Sequence, residues 1–542
     1  MSSTSIAAAE NFINNETEFH LGFLPTEQAN PATASMENDF KADTARGVMT
    51  IRKADRPVLE MAKKVFAGKE FKAMNDAAKE VLDNGGKIIF SGCGATGRLS
   101  ILLESMFRKF AKENRDFYAP EQCESIMTGG DFALIRSVEF FEDFQTFGRR
   151  QVAEAGMTDK DMLVAITEGG ETSSVIGTVK EAAERGAKVF LLFNNPASLL
   201  REHLIRCREV IDNPAVTVLD LSCGPMTLAG STRMQATTSE ELVAGALLEN
   251  LAAYKCGGAT FDWAAEFAIL LDQLETPDAV TAMADHIDFE SSIYQQDGKV
   301  TYFANDYLLD LFTDTTERNP TFMLPPFKSK AAKDAPQSWA FVKNPFFSTP
   351  ETWHNMLNRP CRCLNWSKAD YIAMDAGDKV AGNPPAISEK DLFLIEVGNE
   401  PAPERFTSQA DRSVLVTVEN APGKNALLSK MPDADRILNI VCRNRKSPLE
   451  LMTHLAVKLV LNTISTGTMV KVGRVTGNWM SYVSVSNKKL IDRAIRLICE
   501  LGKTDYRTAC LALFESIEIL ENFPPDREAP PPVQYTLQKL QK

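Results

Sequence analysis

A segment near residue 86 returns about 212 positions later, and that repetition confines the chain to folds that are built twice. Gly86-Lys87-Ile88-Ile89-Phe90 recurs as Gly298-Lys299-Val300-Thr301-Tyr302-Phe303. A helical pattern over Glu240 to Tyr254, closing on Lys255-Cys256-Gly257, recurs over Leu455 to Val470, closing on Lys471-Val472-Gly473 at an offset of 216. Two separate anchors at nearly one spacing point to a diverged internal duplication. Between them each half alternates β-rich runs with helical segments. The first half offers Lys87 to Phe90, Ser125 to Met127, Met162 to Ile166, Lys188 to Phe193 and Val216 to Leu219. The second offers Val300 to Phe303, Trp339 to Val342, Leu392 to Val397, Val414 to Val418 and Ile437 to Val441. Such alternation predicts an α/β fold, one doubly wound parallel sheet per half.

Ligands of such sheets lie beyond the carboxyl ends of the strands. In the first half that place is taken by Gly92-Cys93-Gly94-Ala95-Thr96-Gly97-Arg98, after the apolar run Ile88-Ile89-Phe90 and before a stretch with helical spacing. A strand breaking into glycines and then a helix leaves backbone N–H groups free at the helix N-terminus, a seat for a phosphate. Gly92-x-Gly94-x-x-Gly97 also matches the dinucleotide fingerprint, which wants an acid about 20 residues on. That distance falls in the polar stretch Asp116 to Gln122, and the first acid after the next strand is Asp131. A turn that binds nothing is the third reading. A second glycine loop, Thr167-Glu168-Gly169-Gly170-Glu171-Thr172-Ser173-Ser174, follows the third strand and feeds a helix. Its hydroxyls could ring an anion without a lysine, or serve only as a helix cap.

The chain has 542 residues, 44% hydrophobic and 24% charged, as for a soluble globular protein of two or three domains. A net charge of −13 without a long basic block argues against nucleic acid or an anionic membrane as partner. The N-terminus has no signal-peptide pattern and no stretch is apolar enough for a membrane helix, so a cytoplasmic protein is expected. The ten cysteines are scattered, with only Cys361-x-Cys363 close-spaced, and there are five histidines. Free thiols and no metal site are the expectation.

The two glycine loops together resemble the sugar isomerase (SIS) domain, which binds phosphosugars. Three further stretches are similar to the group formed by N-acetylmuramic acid 6-phosphate etherases and glucokinase regulatory proteins: Gly230-Ser231-Thr232-Arg233-Met234, Leu459 to Gly467, and Val485-Ser486-Asn487-Lys488-Lys489-Leu490. The resemblance runs, with gaps, from about residue 45 to 520. It implies two tandem SIS-type domains, a dimer fused into one chain. The expected segments are an N-terminal extension, 1–45, partly disordered; a first domain, 46–260; a diverged second domain, 261–487; and a helical lid with a Pro-rich tail, 488–542. The second half has Ala304-Asn305-Asp306-Tyr307-Leu308 where its glycine loop would be, which implies one full site per chain.

For that site the resemblance implies a phosphosugar held by Gly94, Ala95, Thr96, Gly97, Thr167, Gly169, Gly170, Thr172, Asn487 and Lys489. The etherases expel lactate by removing a proton, forming an alkene and adding water, which requires an acid and a base. One of their glutamates is replaced here by Met106, but Asp314 to Phe322 of the second half is similar to the missing segment and supplies Glu317. Gly129-Gly130-Asp131 with Glu142-Asp143 resembles the segment of the other and supplies Glu142. Glu168 and Glu171 are extra anions in a phosphate loop, which repel a ligand unless they point away or hold sugar hydroxyls. No cofactor is called for. Three readings stay open: an enzyme acting on an amino-sugar or hexose 6-phosphate through Glu142 and Glu317, by etherase or isomerase chemistry; a non-catalytic phosphosugar-responsive regulator with a sugar kinase as partner; and a sugar-phosphate-binding protein with no turnover.

Overall fold

The structure is a computed structural model that describes residues 2–138, 140–259, 261–485, 487–523 and 530–541. Ser486 of the Val485 to Leu490 motif and the Pro524-Pro525 pair lie outside the described residues, as do residues 1, 260 and 542, which bound the expected segments.

Five strands form the first sheet: β1 (Ile88–Gly92), β2 (Cys123–Met127), β3 (Met162–Ile166), β4 (Lys188–Phe193) and β5 (Val216–Asp220). All pair in parallel in the order β2-β1-β3-β4-β5. β1 and β3 are buried along their whole length, as continuous apolar runs must be when helices cover both faces. The second sheet holds β6 (Val300–Phe303), β7 (Ala340–Lys343), β8 (Arg412–Val418) and β9 (Arg436–Ile440), parallel in the order β7-β6-β8-β9. This is the order of the first sheet without its outermost strand. Chain order reverses across β1 and again across β6, so each half has a switch point where a ligand crevice can open.

The second sheet has four strands, and Leu392 to Val397 is not one of them. A capping box, Ser388 with Asp391, starts the short helix Glu389–Phe393 through this run instead. The carbonyls that follow accept bonds from the chain around β7: Leu394 from Lys330 N (2.8 Å), Glu396 from Lys343 Nζ (2.8 Å) and Val397 from Asn344 N (2.8 Å). The apolar side chains Leu392, Ile395 and Val397 are buried by packing and need no ladder.

The two repeated helical segments become the helices Gln235–Cys256 and Leu451–Lys471, which pack against each other at the centre of the molecule. Both are buried almost all round, the pattern of a core helix. Their contact is close: a Cβ on Gly245 would stand 2.3 Å from Leu451 Cδ1.

The first 45 residues, expected to be partly disordered, carry the helices Ser3–Asn15 and Met36–Ala42 and bury Ala9, Phe12, Leu21, Leu24, Met36 and Phe40. They dock on the C-terminal helices Lys488–Gly502 and Tyr506–Glu521, through Leu21 N to Asp492 Oδ2 (3.0 Å) and through Glu27 to Arg493 (2.6 Å) and Arg496 (2.7 Å). Those guanidinium groups hold the buried Glu27 carboxyl far below its usual range, against the opposing effect of burial. In the Pro-rich tail, Pro532–Leu540 is a helix. Among the described residues no helix is long and apolar enough to cross a membrane, and all ten cysteines are free.

Candidate functional site

The loops leaving β1, β2 and β3 converge on one cavity of about 200 Å³. Gly94 opens it. Its φ of +57° belongs to glycine, and it swings the chain from β1 into the helix Ala95–Glu113, whose first-turn amides have no acceptor within the helix. Gly94 and Ala95 line the cavity. Thr96 and Gly97 do not. The Thr96 hydroxyl donates to Cys93 O (2.9 Å) and accepts from Cys93 N (3.0 Å), so it braces the turn from within. Gly97 lies against Gly92, where a Cβ would meet the Gly92 carbonyl oxygen at 3.0 Å.

The loop after β3 contributes Glu168 and Thr172 to the lining. Thr167 supports from behind, donating to Thr172 Oγ1 (3.1 Å). Gly169 and Gly170 face away: Gly169 O accepts from Asn195 Nδ2 (3.0 Å), and Gly170, with φ +81°, packs toward Leu200 and Phe193. A ring of loop amides and hydroxyls is therefore only partly assembled around the cavity.

The acids do meet there. Glu142, in the turn Phe141–Asp143, lines the cavity and accepts a hydrogen bond from Asn487 Nδ2. Asn487 in turn caps the helix Lys488–Gly502, its Oδ1 accepting from Leu490 N (2.9 Å). Glu317 comes from the other half, on the helix Leu308–Phe322, and its carboxylate is ion-paired with Arg98 of the first glycine loop. The same guanidinium donates to Leu134 O (2.7 Å) and Ala133 O (3.1 Å), which aims it at the cavity wall. Lys489 completes the expected set, 3.3 Å from Glu171 Oε1. Burial would depress its ammonium, but the Glu171 and Glu142 carboxylates outweigh that and hold it well above the usual lysine range.

Several lining groups were not in the set the resemblance implied. Ser231 and Arg233 line the cavity, and their Oγ and Nε atoms are buried with no hydrogen-bond partner among the described residues. The rest of the Arg233 guanidinium is fixed: Nη1 donates to Asp314 (3.0 Å) and Ser465 (3.2 Å), and Nη2 to Thr466 (2.8 Å). The Gly-Ser-Thr-Arg-Met and Leu459 to Gly467 motifs, one from each half, thus join behind the cavity. Arg493 also lines it; its position four residues after Lys489, hence on the same helix face, was a signal that sequence could have used. Glu168 is the group whose charge is poised. Burial raises its carboxyl to about 7; Lys489 opposes, while Glu317 and Glu171 add to the rise. Asp143, behind Glu142, is raised to about 6 by burial and by the Glu142 charge.

Two parallel α/β sheets with one polar cleft at the strand ends of the first define a double SIS-type protein. Comparison with known proteins specifies it further. Residues 71–183 match the family model of the glucokinase regulatory protein N-terminal SIS domain. N-acetylmuramic acid 6-phosphate etherase 1 of Bacillus licheniformis is 31% identical over 226 residues, 41% of this chain and 67% of that protein. The etherase of Clostridium acetobutylicum is 30% identical over 229 residues, again 41% and 67%. The chain belongs to the SIS-domain family of N-acetylmuramic acid 6-phosphate etherases and glucokinase regulatory proteins. Among solved structures, tagatose-6-phosphate ketose/aldose isomerase from Escherichia coli aligns at a TM-score of 0.45 with 10% identity, covering 83% of this chain and 98% of that one.

Proposed function

We propose that the cavity binds a sugar 6-phosphate and that Glu142 and Glu317 perform acid–base chemistry on it, of the kind the etherase relatives are named for. The observation that carries this reading is the meeting of two carboxylates from different halves over one polar cavity that is also lined by Ser231, Arg233, Lys489 and Arg493. In this reading the phosphate takes the amides of the Gly94–Ala95 turn and the Lys489 ammonium. The carboxylate of Glu317, set by Arg98, removes a proton from the sugar. Glu142, set by Asn487 and carrying a proton at this step, gives it to the departing oxygen as the alkene forms and then, as a carboxylate, draws a proton from the water that adds, while Glu317 returns its proton to the alkene carbon. The protein is proposed to work in the cytoplasm, where such phosphosugars occur.

A second reading, a phosphosugar-responsive regulator of a sugar kinase, is favoured by one feature. Both acids are already engaged, Glu317 by Arg98 and Glu142 by Asn487, as suits side chains that hold hydroxyls rather than move protons. The match of residues 71–183 to a regulatory-protein model points the same way. A melting-temperature screen against N-acetylmuramic acid 6-phosphate, fructose 6-phosphate and glucose 6-phosphate, followed by a lactate-release assay, tests both. Stabilisation with lactate release supports the enzyme. Stabilisation without turnover, joined to inhibition of a sugar kinase, supports the regulator. No stabilisation by any sugar phosphate overturns both.

A further inference from the structure

Away from the cavity, three metal-binding side chains of three different kinds converge on the second half. His354 lies on the helix Thr349–Leu357, Cys361 in the loop that follows, and Glu389 is the first residue of the helix Glu389–Phe393. One ligand atom from each lies within 4.8 Å of the other two, with His354 Nε2 and Glu389 Oε1 4.0 Å apart. Zinc bonds of about 2.0–2.3 Å in a tetrahedron set ligand atoms roughly 3.3–3.7 Å apart. Closing the remaining gap takes a side-chain shift of about an ångström or less by this measure. Two of the three can make it freely, since the His354 and Glu389 side chains are each 49% exposed.

We propose that His354 Nε2, Cys361 Sγ and Glu389 form a binding site for a divalent transition metal of the zinc class. Imidazole, thiolate and carboxylate together select a borderline ion such as zinc over magnesium or calcium, which prefer oxygen alone. Three protein ligands leave the fourth position to water. On binding, the Cys361 thiol proton passes to solvent as the sulfur–metal bond forms. Sequence spacing argued against such a site because Cys361-x-Cys363 lacks a second pair; the fold supplies the other ligands from 7 residues before and 28 after Cys361.

The location gives the site a consequence. The same loop straps the second half to the wall of the cavity. Arg359 binds Asp131 through both amino groups (2.6 and 3.0 Å) and Glu104 through Nε (3.0 Å), and Arg362 N donates to Asp131 Oδ2 (2.6 Å). Cys363 forms a β-bridge with Gly130. Gly130 and Asp131 stand between Thr128 and Ala133, which line the cavity. A metal on Cys361 would brace this strap and, through it, the wall.

The test uses the 542-residue chain, reduced and with any affinity tag removed, titrated with zinc chloride against a chromogenic chelator. One equivalent of zinc should bind. His354→Ala, Cys361→Ser and Glu389→Gln should each weaken it by more than the roughly tenfold that losing even an outer-shell partner costs. Cobalt(II) should give a thiolate charge-transfer absorption in the wild type that Cys361→Ser removes, and zinc should raise the melting temperature of the wild type but not of Cys361→Ser. The proposal is overturned by the absence of stoichiometric uptake, by a cobalt complex without the thiolate band, or by undiminished affinity in all three variants. The wild-type cobalt spectrum decides even where a variant fails to fold.

Discussion

Arg98 and Glu317 are ion-paired across the two halves of the chain, with Arg98 side-chain exposure at 1%. The pair lies between the first glycine loop and the helix Leu308–Phe322, so it joins the halves where they share the cavity. Two substitutions separate its roles. Glu317→Gln keeps shape and hydrogen bonding while removing the charge; turnover should fall by about 10²–10⁴, with the ligand-induced rise in melting temperature largely kept. Unchanged turnover would remove Glu317 from the chemistry.

Arg98→Met should act on stability instead. It removes the guanidinium paired with the buried Glu317 carboxylate, and breaking a buried pair on one side costs about 3–5 kcal/mol. Urea unfolding of the two variants checks this: each leaves one member of the buried pair without its counter-charge, Glu317 in Arg98→Met and Arg98 in Glu317→Gln, so both should lose about that much.

Arg233 is the second clasp between halves. Removing it as Arg233→Met deprives Asp314 of one of its two guanidinium partners, the other being Arg318 at 3.1 Å. It also leaves Ser465 and Thr466 without their donor. A loss of about 3–5 kcal/mol is expected for the charge. Thr466→Val removes one bond to a charged donor, for about 1.5–3 kcal/mol. Because the two residues touch, the double variant should lose less than the sum. Additive losses in urea unfolding would show that the bond is not formed.

What sequence made legible follows from these contacts. Met162–Ile166 and Lys188–Phe193 are strands with the bounds read from sequence, because a parallel strand covered on both faces is a continuous apolar run with polar ends. Leu392 to Val397 has the same composition, but the cap at Ser388 and the carbonyl bonds to the chain around β7 claim it. Composition cannot separate burial by pairing from burial by packing. In the site, the residues that motif resemblance named, Glu142, Glu317, Asn487 and Lys489, line one cavity. Resemblance could not show that Thr96 spends its hydroxyl on Cys93, nor that Gly169 and Gly170 turn outward, since those follow from backbone angles. The junction of Arg233 with Thr466, 233 residues apart in the chain, is likewise a product of packing alone.

The pH response follows from Glu168. Its carboxyl titrates near 7 in the fold against 4.5 for the ordinary group. Between those values the folded state binds more protons than the unfolded one, so the contribution to stability is present below about 4.5 and is lost as pH rises through 7. Glu241, also raised to about 7 by burial, adds in the same direction. Glu168→Gln should flatten part of the fall in unfolding free energy between pH 5 and about 8. If the cavity takes a sugar phosphate as proposed, the same substitution should also make that affinity less sensitive to pH, because in the wild type a cavity-lining group becomes an anion as it deprotonates. A wild-type stability that rises over this range would contradict the assignment.

Gly230→Ala tests whether Arg493 belongs to the ligand site. Gly230 has φ +79°, and a Cβ there would stand 2.5 Å from Arg493 Nε, so an alanine must both strain the backbone and push Arg493 aside. Gly257 is the matched control: its φ is +67°, but a Cβ there meets nothing within 4 Å. Both variants carry the cost of a non-glycine residue in the left-handed region, about 1–3 kcal/mol. Only Gly230→Ala displaces the guanidinium from the cavity wall and from Glu27, so it alone should weaken binding of a sugar 6-phosphate. Thermal melts with and without ligand separate the two effects, because Gly257→Ala should lower both melts equally while Gly230→Ala should also shrink the shift between them. Equal shifts in the two variants would mean that Arg493 holds the N-terminal segment through Glu27 and does nothing for the ligand.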